Sequence, residues 1–228
     1  MAVAIIAHRG ACRVKRENTI EAFAEAGRMG ADMVELDVRR TADGALAIHH
    51  DACLADGTAV KDLAMADLPE WIPDLAAALD ACAGMEVNIE IKNWPADVDF
   101  DATDEVAGKV AALVADRGWR EQVIVSSFNS RTIDRVRALD PAIATGWLTG
   151  APIDVREVVK QAAEGGHTAI HPHARSVTEE VVVLAHDAGL RVNTWTVDDP
   201  DTMKQLAAWG VDGIVTNVPD VAIRTLRQ

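Results

Sequence analysis

The amino-acid sequence predicts an α/β fold in which eight βα units close into a (β/α)₈ barrel. Three observations support this prediction. Eight short apolar runs rich in Val and Ile recur along the chain, alanine-rich stretches with helical spacing separate them, and glycines follow the helical stretches. Strands that alternate with helices imply a parallel sheet with right-handed crossovers. An open, doubly wound sheet is the alternative arrangement of the same elements.

The individual elements follow from these runs and stretches. The predicted strands lie at 3–7, 33–38, 85–91, 122–128, 142–147, 168–172, 190–197 and 212–217. The predicted helices lie at 19–30, 72–84, 104–118, 130–140, 155–166, 177–189, 200–210 and 221–228. Each helical stretch between two strands is long enough to serve as a crossover between parallel neighbours.

Signals at the helix ends support these boundaries. Asn18 with Glu21 three residues later has the spacing of a capping box. Glycine provides the left-handed residue that often ends a helix. The predicted terminal glycines are Gly30, Gly84, Gly118, Gly165, Gly189 and Gly210.

One irregular segment interrupts the repeat, at residues 39–70. It contains a turn, a further short strand or extended segment at 45–51, and a loop. This is the longest excursion between predicted barrel strands, and such excursions often carry function. Because no linker rich in Pro, Gly or Ser divides the chain, residues 1–228 are expected to form a single domain.

Composition restricts the partners and the compartment. With 22 Lys and Arg against 36 Asp and Glu, the formal charge of −14 disfavours nucleic acid. No apolar span approaches the length of a membrane helix and no signal peptide is recognisable, so no stable membrane insertion is expected. Three cysteines without a C-x-x-C spacing favour a reducing, cytoplasmic location over a disulfide framework or a zinc site. A homo-oligomer is compatible with the sequence.

Three acids stand in positions where a buried strand requires apolar residues. Side chains alternate along a strand, so Glu35 and Asp37 share one face of the second strand, and Glu90 has the equivalent orientation in the next. The outer face of a barrel packs against helices, so these carboxylates are predicted to point inward, near the catalytic mouth. An all-oxygen ligand set favours Mg²⁺ or Ca²⁺. The alternative is a metal-free network in which Arg9 and Lys92 neutralise the acids.

Histidines and cations are predicted at the same mouth. The first strand runs directly into His8, Arg9 and Gly10, where Gly10 allows the chain to turn. Either His49 or His50 provides a second imidazole, and two imidazoles beside a metal suit acid/base chemistry near neutral pH. Arg9 and Lys92 could hold an anion such as phosphate. Together these residues indicate phosphoryl transfer or phosphodiester cleavage.

In its motifs the chain resembles the glycerophosphodiester phosphodiesterase family, which has a TIM-barrel fold. The motifs occur in the family's order along nearly the whole chain, and the ordered set is far more specific than any one member. They are His8-Arg9-Gly10, Glu17-Asn18-Thr19, Gly30-Ala31-Asp32, Glu35-Leu36-Asp37, Thr41-Ala42-Asp43-Gly44, His50-Asp51, Glu90-Ile91-Lys92, Ser126-Ser127-Phe128, Trp195-Thr196-Val197 and Gly210-Val211-Asp212-Gly213.

The resemblance implies roles for the matching residues. It implies that Glu35, Asp37 and Glu90 bind a divalent metal, Mg²⁺ or Ca²⁺, that His8 and His50 are base and acid, and that Arg9 and Lys92 bind phosphate. It selects His50 over His49, which is left without a role. Trp195 is expected beside the substrate or in the core, and Ser127 and Phe128 are further pocket candidates.

The resemblance also implies the reaction, namely hydrolysis of a glycerophosphodiester to sn-glycerol 3-phosphate and an alcohol, with the small-molecule diester as partner. A phospholipase D-like lysolipid hydrolase of the same superfamily and a non-catalytic phosphate-binding barrel are the alternatives. Three positions depart from the family's pattern. Arg16 replaces the usual Pro, the segment after His50 is short, and Asn217 stands where many relatives carry Asp. Cys12 has no evident base partner and is expected to be an ordinary loop residue.

Overall fold

The structure, a computed structural model, describes residues 2–151 and 153–227 and forms a closed barrel. The parallel strands are β1 (Ala4–His8), β2 (Met33–Arg40), β4 (Glu86–Ile91), β5 (Val123–Ser127), β6 (Ala144–Thr149), β7 (Ala169–Pro172), β8 (Arg191–Thr194) and β9 (Gly213–Thr216). Parallel pairing of β1 with both β2 and β9 closes the ring. The prediction of a (β/α)₈ TIM barrel is therefore confirmed, and the open-sheet alternative is wrong.

Helices lie between successive barrel strands and follow the last one. They are α1 (Ile20–Met29), α2 (Leu75–Ala81), α3 (Glu105–Asp116), α4 (Ser130–Leu139), α5 (Val155–Glu164), α6 (Glu179–Asp187), α7 (Pro200–Ala208) and α8 (Pro219–Leu226). Gln228, the last residue of the final predicted helix, lies outside the described residues. Among those described, no helix is long and apolar enough to cross a membrane.

The excursion after β2 contains the predicted additional strand. This strand, β3 (Leu46–Ile48), pairs antiparallel with the end of β2, and two short 3₁₀ turns follow it before α2. Because β3 folds back along β2, the residues directly after β3 return to the carboxyl end of the barrel. His49 and His50 are thereby brought to the mouth.

The signals predicted at two helix ends, one before α1 and one after α5, differ from the structure. Thr19, not Asn18, caps α1, since the Thr19 hydroxyl oxygen accepts a hydrogen bond from the Ala22 amide at 3.3 Å. The capping-box prediction for Asn18 and Glu21 is therefore wrong. After α5, the left-handed residue is Gly166 with φ +69°, whereas Gly165 is still helical with φ −71°.

Apolar layers surround the strands and close the lower end of the barrel. On the outside of β2, Val34, Leu36 and Val38 are fully buried within the main core cluster, which also includes residues of the helices. Inside the barrel, Ile6, Met33, Ile124, Ala169 and Val215 form a separate apolar plug. The polar residues described below lie above this plug, towards the carboxyl ends of the strands.

Candidate active site

The three predicted acids meet inside the barrel. Parallel pairing of β2 with β4 puts Glu35 opposite Asn88 and Asp37 opposite Glu90. Glu35, Asp37 and Glu90 are buried, and each has a carboxylate oxygen within 4.8 Å of the other two. The prediction from strand alternation, that the acids share the inward face, is therefore correct.

Burial and neighbouring charges together give these carboxyl groups unequal pKa values. Burial, followed by the charges of Asp37 and Glu90, raises the pKa of Glu35 well above its ordinary value. Burial also raises the pKa of Glu90, although Lys92 opposes this shift. Burial alone would raise the pKa of Asp37 as well, but the cations of Lys92 and Arg9 lower it. The site as a whole therefore favours an additional positive charge.

Loops from the first βα unit orient two of the acids. Arg9 has a left-handed backbone with φ +54°, and its amide donates to Glu35 Oε2 at 3.0 Å. Asn18, also left-handed with φ +56°, donates from Nδ2 to Asp37 Oδ2 at 2.8 Å, and its Oδ1 accepts from the Asp37 amide at 3.3 Å. Asn18 is thus a support for Asp37, a role that the capping interpretation missed.

Two cations contact the acids, as the metal-free alternative requires. Arg9 Nε lies 3.2 Å from Asp37 Oδ2, and Arg9 Nη1 donates to Glu17 Oε1 at 2.9 Å. Lys92 Nζ lies 3.0 Å from Asp37 Oδ1 and also contacts Glu90. The three acids and Glu17 therefore outnumber the two cations that contact them. In addition, buried Glu35 Oε1 has no hydrogen-bond partner among the described residues.

His8 and His50 both reach the cavity, but their hydrogen-bond partners differ. His8, at the end of β1, has Nε2 3.9 Å from Glu35 Oε2, and its Nδ1 lies 2.7 Å from the amide oxygen of Asn217. His50 Nδ1 lies 2.7 Å from a carboxylate oxygen of Asp51. Burial is the largest effect on both rings and lowers the pKa of each.

His49, unlike the adjacent His50, does not line the cavity. Its Nδ1 lies 2.8 Å from the Asp51 carbonyl oxygen, and its ring centroid lies 5.9 Å from that of Trp71. The His50 carbonyl oxygen accepts a hydrogen bond from Arg39 Nε at 2.8 Å, so the end of β2 holds this loop in place. The selection of His50 over His49 therefore agrees with their positions.

A single cavity of ≈ 200 Å³ brings the predicted site together. Asp37 does not line this cavity and is buried beneath the lining residues, with 1% of its surface exposed. The cavity is lined by His8, Arg9, Glu35, His50, Asn88, Glu90, Lys92, Phe128, Leu148, His171, Trp195 and Val215. Eight of the ten residues proposed from the sequence thus line one cavity, and Asp37 contacts two of them, Arg9 and Lys92.

Aromatic rings form one side of this cavity. The strands β5 and β8 end just before Phe128 and Trp195, whose rings meet edge to face with centroids 5.4 Å apart. Trp94 and His173, which the sequence interpretation did not include, extend the row on either side. Ser127 does not line the cavity, because its buried hydroxyl donates to the Ile91 carbonyl at 2.8 Å.

Two further polar residues line the cavity, and the sequence assigned a role to neither of them. His171 is fully buried, accepts a hydrogen bond from Asn193 Nδ2 at 3.1 Å, and has a pKa that burial lowers to about 3. Asn88 has a buried Oδ1 without a partner among the described residues. Strand alternation could have indicated both, since Asn88 and His171 lie two residues from Glu90 and Ala169, which also point into the barrel.

The fold and the cavity define a TIM-barrel enzyme with paired histidines and an acidic cluster at its catalytic end. Residues 8–221 match the model of the glycerophosphoryl diester phosphodiesterase family. The chain belongs to this family of phosphoric diester hydrolases.

Individual relatives cover almost the whole chain. A glycerophosphodiester phosphodiesterase from Caldanaerobacter subterraneus is 30% identical, with 100% of this chain and 99% of the relative covered. A crystal structure from Silicibacter pomeroyi, of a protein named for the same family, has a TM-score of 0.89 at 29% identity, covering 99% of this chain and 93% of that chain. An Oleispira antarctica phosphodiesterase in complex with the product sn-glycerol-3-phosphate shares the fold, with a TM-score of 0.88 at 24% identity and coverage of 100% and 98%.

Proposed function

We propose that the protein is a metal-dependent phosphodiesterase that hydrolyses glycerophosphodiesters to sn-glycerol 3-phosphate and an alcohol such as choline or ethanolamine. The observation that carries this proposal is the convergence of His8, His50, Arg9, Lys92 and an acidic cluster on one cavity. The names of the relatives, and the product bound to the Oleispira protein, support the same reaction.

The acidic cluster fits a divalent cation. Glu35, Asp37 and Glu90 offer only oxygen atoms, which suits Mg²⁺ or Ca²⁺ better than zinc. Glu35 Oε1 is buried and has no hydrogen-bond partner among the described residues, so this oxygen is free to contact a cation. When bound, the cation would neutralise the acids and offer positive charge to a phosphate oxygen.

Arg9 and Lys92 are the candidates for binding the phosphate. Both side chains line the cavity and are presently paired with carboxylates of the cluster. Neutralisation of those carboxylates would free the guanidinium and the ammonium group to donate to phosphate oxygens. Arg9 keeps its orientation through Glu17, which lies outside the cluster.

The partners of the two histidines support an assignment of His8 as base and His50 as acid. A neutral amide contacts His8, whereas a carboxylate contacts His50 and stabilises its protonated form. His8 Nε2 would take the proton from the nucleophile as its oxygen bonds to phosphorus. As the phosphorus–oxygen bond to the alcohol breaks, His50 would give its proton to the leaving oxygen.

Two nucleophiles are compatible with this arrangement, namely water and the neighbouring glycerol hydroxyl. Attack by the hydroxyl passes through a cyclic phosphate, whereas attack by water does not. Phosphorus NMR of the first turnovers distinguishes the routes, because only the former shows the cyclic species.

Variants of the adjacent histidines test the proposed activity. Release of sn-glycerol 3-phosphate from glycerophosphocholine and glycerophosphoethanolamine is measured with Mg²⁺ or Ca²⁺ present. His50→Ala should lower kcat by about 10²–10⁴-fold through loss of the acid. His49→Ala is the matched control and should retain near wild-type turnover, since its ring faces Trp71. Equal rates for His50→Ala and wild type would remove His50 from the mechanism.

The same assay tests the proposed substrate class. A wild type that releases nothing from either glycerophosphodiester, but cleaves a lysophospholipid, would be the lysolipid hydrolase instead. A wild type that cleaves neither, yet binds glycerol phosphate, would be a non-catalytic barrel. Either result would overturn the proposed function.

A further inference from the structure

Asn217, which follows β9, connects His8 to a residue outside the cavity. Its Oδ1 lies 2.7 Å from His8 Nδ1, and it also accepts a weak hydrogen bond from Cys12 Sγ at 3.3 Å. On the other side, Asn217 Nδ2 donates to Asp198 Oδ2 at 2.8 Å. Three side chains therefore form a continuous hydrogen-bonded chain, Asp198–Asn217–His8.

Asp198 is held firmly at the far end of this chain. Its Oδ1 accepts hydrogen bonds from the backbone N–H of Asn217 at 2.8 Å and from the Thr216 hydroxyl at 3.1 Å. Arg13 Nη2 lies 3.6 Å from its Oδ2. Burial opposes ionisation, but the hydrogen bonds from Asn217 lower the pKa of Asp198. Asp198 is therefore a carboxylate, which can only accept hydrogen bonds.

This carboxylate determines which way the side-chain amide of Asn217 faces. If the amide were reversed, its oxygen would lie against Asp198 Oδ2 and two acceptors would repel each other. Nδ2 must therefore face Asp198, and Oδ1 must face His8. Because Oδ1 is also only an acceptor, His8 Nδ1 must carry the proton, which leaves the lone pair of Nε2 for the cavity.

We infer that Asp198 and Asn217 are positioning residues that fix His8 in the tautomer with a free Nε2. This inference rests on the proposed function for its catalytic consequence, because a base at Nε2 is useful only if His8 accepts a proton there. Neither residue lines the cavity. Their effect on catalysis would therefore be on kcat more than on KM.

An exchange of the two side chains tests this inference. Asp198→Asn removes the carboxylate, and Asn217→Asp sets two carboxylates against each other, so each single variant should lose about 10–100-fold in kcat with little change in KM. The double variant restores one amide and one carboxylate in the reverse order. It should recover about tenfold or more over either single variant, since two coupled residues are non-additive.

The tautomer of His8 provides a second readout, which does not depend on a measurement of activity. Nitrogen-15 NMR of the wild-type protein with Mg²⁺ added, assigned by comparison with His8→Gln, should show His8 protonated at Nδ1 and bare at Nε2. Asp198→Asn should show a mixture of tautomers, and the double variant should again show the single Nδ1-protonated form.

The outcomes separate this inference from the proposed function. The inference would be overturned if His8 of the wild type were protonated at Nε2 alone. It would also be overturned if the double variant were no more active than either single variant. If the single variants fail to fold, the wild-type spectrum still decides the tautomer. If the wild type shows no phosphodiesterase activity, the proposed function fails, whereas the same spectrum still tests the hydrogen-bonded chain.

Discussion

His171 should make the stability of the protein fall as the pH decreases below neutrality. Burial inside the barrel lowers the pKa of this ring from 6.5 to about 3. The folded protein thus keeps His171 neutral, while the unfolded chain takes up a proton below pH 6.5. The contribution of neutral His171 to the free energy of unfolding is therefore fully present above pH 6.5 and is lost as the pH falls towards 3.

The size of this pKa shift sets the magnitude of the effect on stability. One pKa unit corresponds to about 1.4 kcal/mol, so the full loss would be about 5 kcal/mol, of which about 2 kcal/mol appears between pH 6.5 and pH 5. The ring fills the space beside Gly146, where an added Cβ would lie 2.5 Å from His171 Nε2. The imidazole therefore packs directly over the backbone of β6.

Urea unfolding of the wild type and of His171→Gln, each at pH 7 and pH 5, measures this contribution. Other titrating groups act in both proteins, so the difference between the two pH effects isolates His171. The wild type should lose about 2 kcal/mol more than the variant. An equal loss in both proteins would mean that His171 takes up a proton in the folded state as readily as in the unfolded chain, contrary to this prediction.

Two further predictions concern residues that hold the mouth of the barrel in place. Arg39 is buried and pairs at 2.6 Å with Asp99, whose side chain is 4% exposed, so Arg39→Met should lower the free energy of unfolding by about 3–5 kcal/mol by leaving the Asp99 carboxylate without this counter-charge. Arg28→Met, which removes an exposed pair with Glu25, is the control and should scarcely move the urea midpoint. Gly10 has φ +79°, and a Cβ there would lie 2.6 Å from the Ala22 carbonyl carbon. Gly57 has φ +88° with no atom within 4 Å of the added Cβ, so Gly57→Ala should cost only the left-handed strain of about 1–2 kcal/mol. Gly10→Ala should cost more in the same unfolding experiment; equal costs would show that the contact with α1 is relieved.

Strand periodicity predicted much of the fold and the site, because the barrel imposes opposite requirements on its two faces. Apolar residues must face the helices, so acids that alternate with them must face inward. Glu35, Asp37 and Glu90 could therefore be placed together from the sequence. The histidines were found for a related reason, since each follows a strand that ends at the mouth.

Contacts between loops could not be predicted in the same way. Asn18 has the spacing of a capping residue, yet its side chain bonds to Asp37, because a left-handed backbone at φ +56° turns it into the barrel. Asn217 likewise contacts His8 only because β9 closes on β1. The contact between Asn217 and His8 depends on closure of the barrel between residues more than 200 positions apart, which no local sequence pattern indicates.

We propose that Glu35, Asp37 and Glu90 hold a divalent cation that hydrolysis requires. The most direct measurement follows release of sn-glycerol 3-phosphate from glycerophosphocholine after the protein has been stripped with chelator and supplied with Mg²⁺ or Ca²⁺ separately. Activity should disappear on stripping and return with one of the ions, and Glu90→Gln should need more of that ion for the same rate. Undiminished turnover by the stripped protein in excess chelator would contradict the claim.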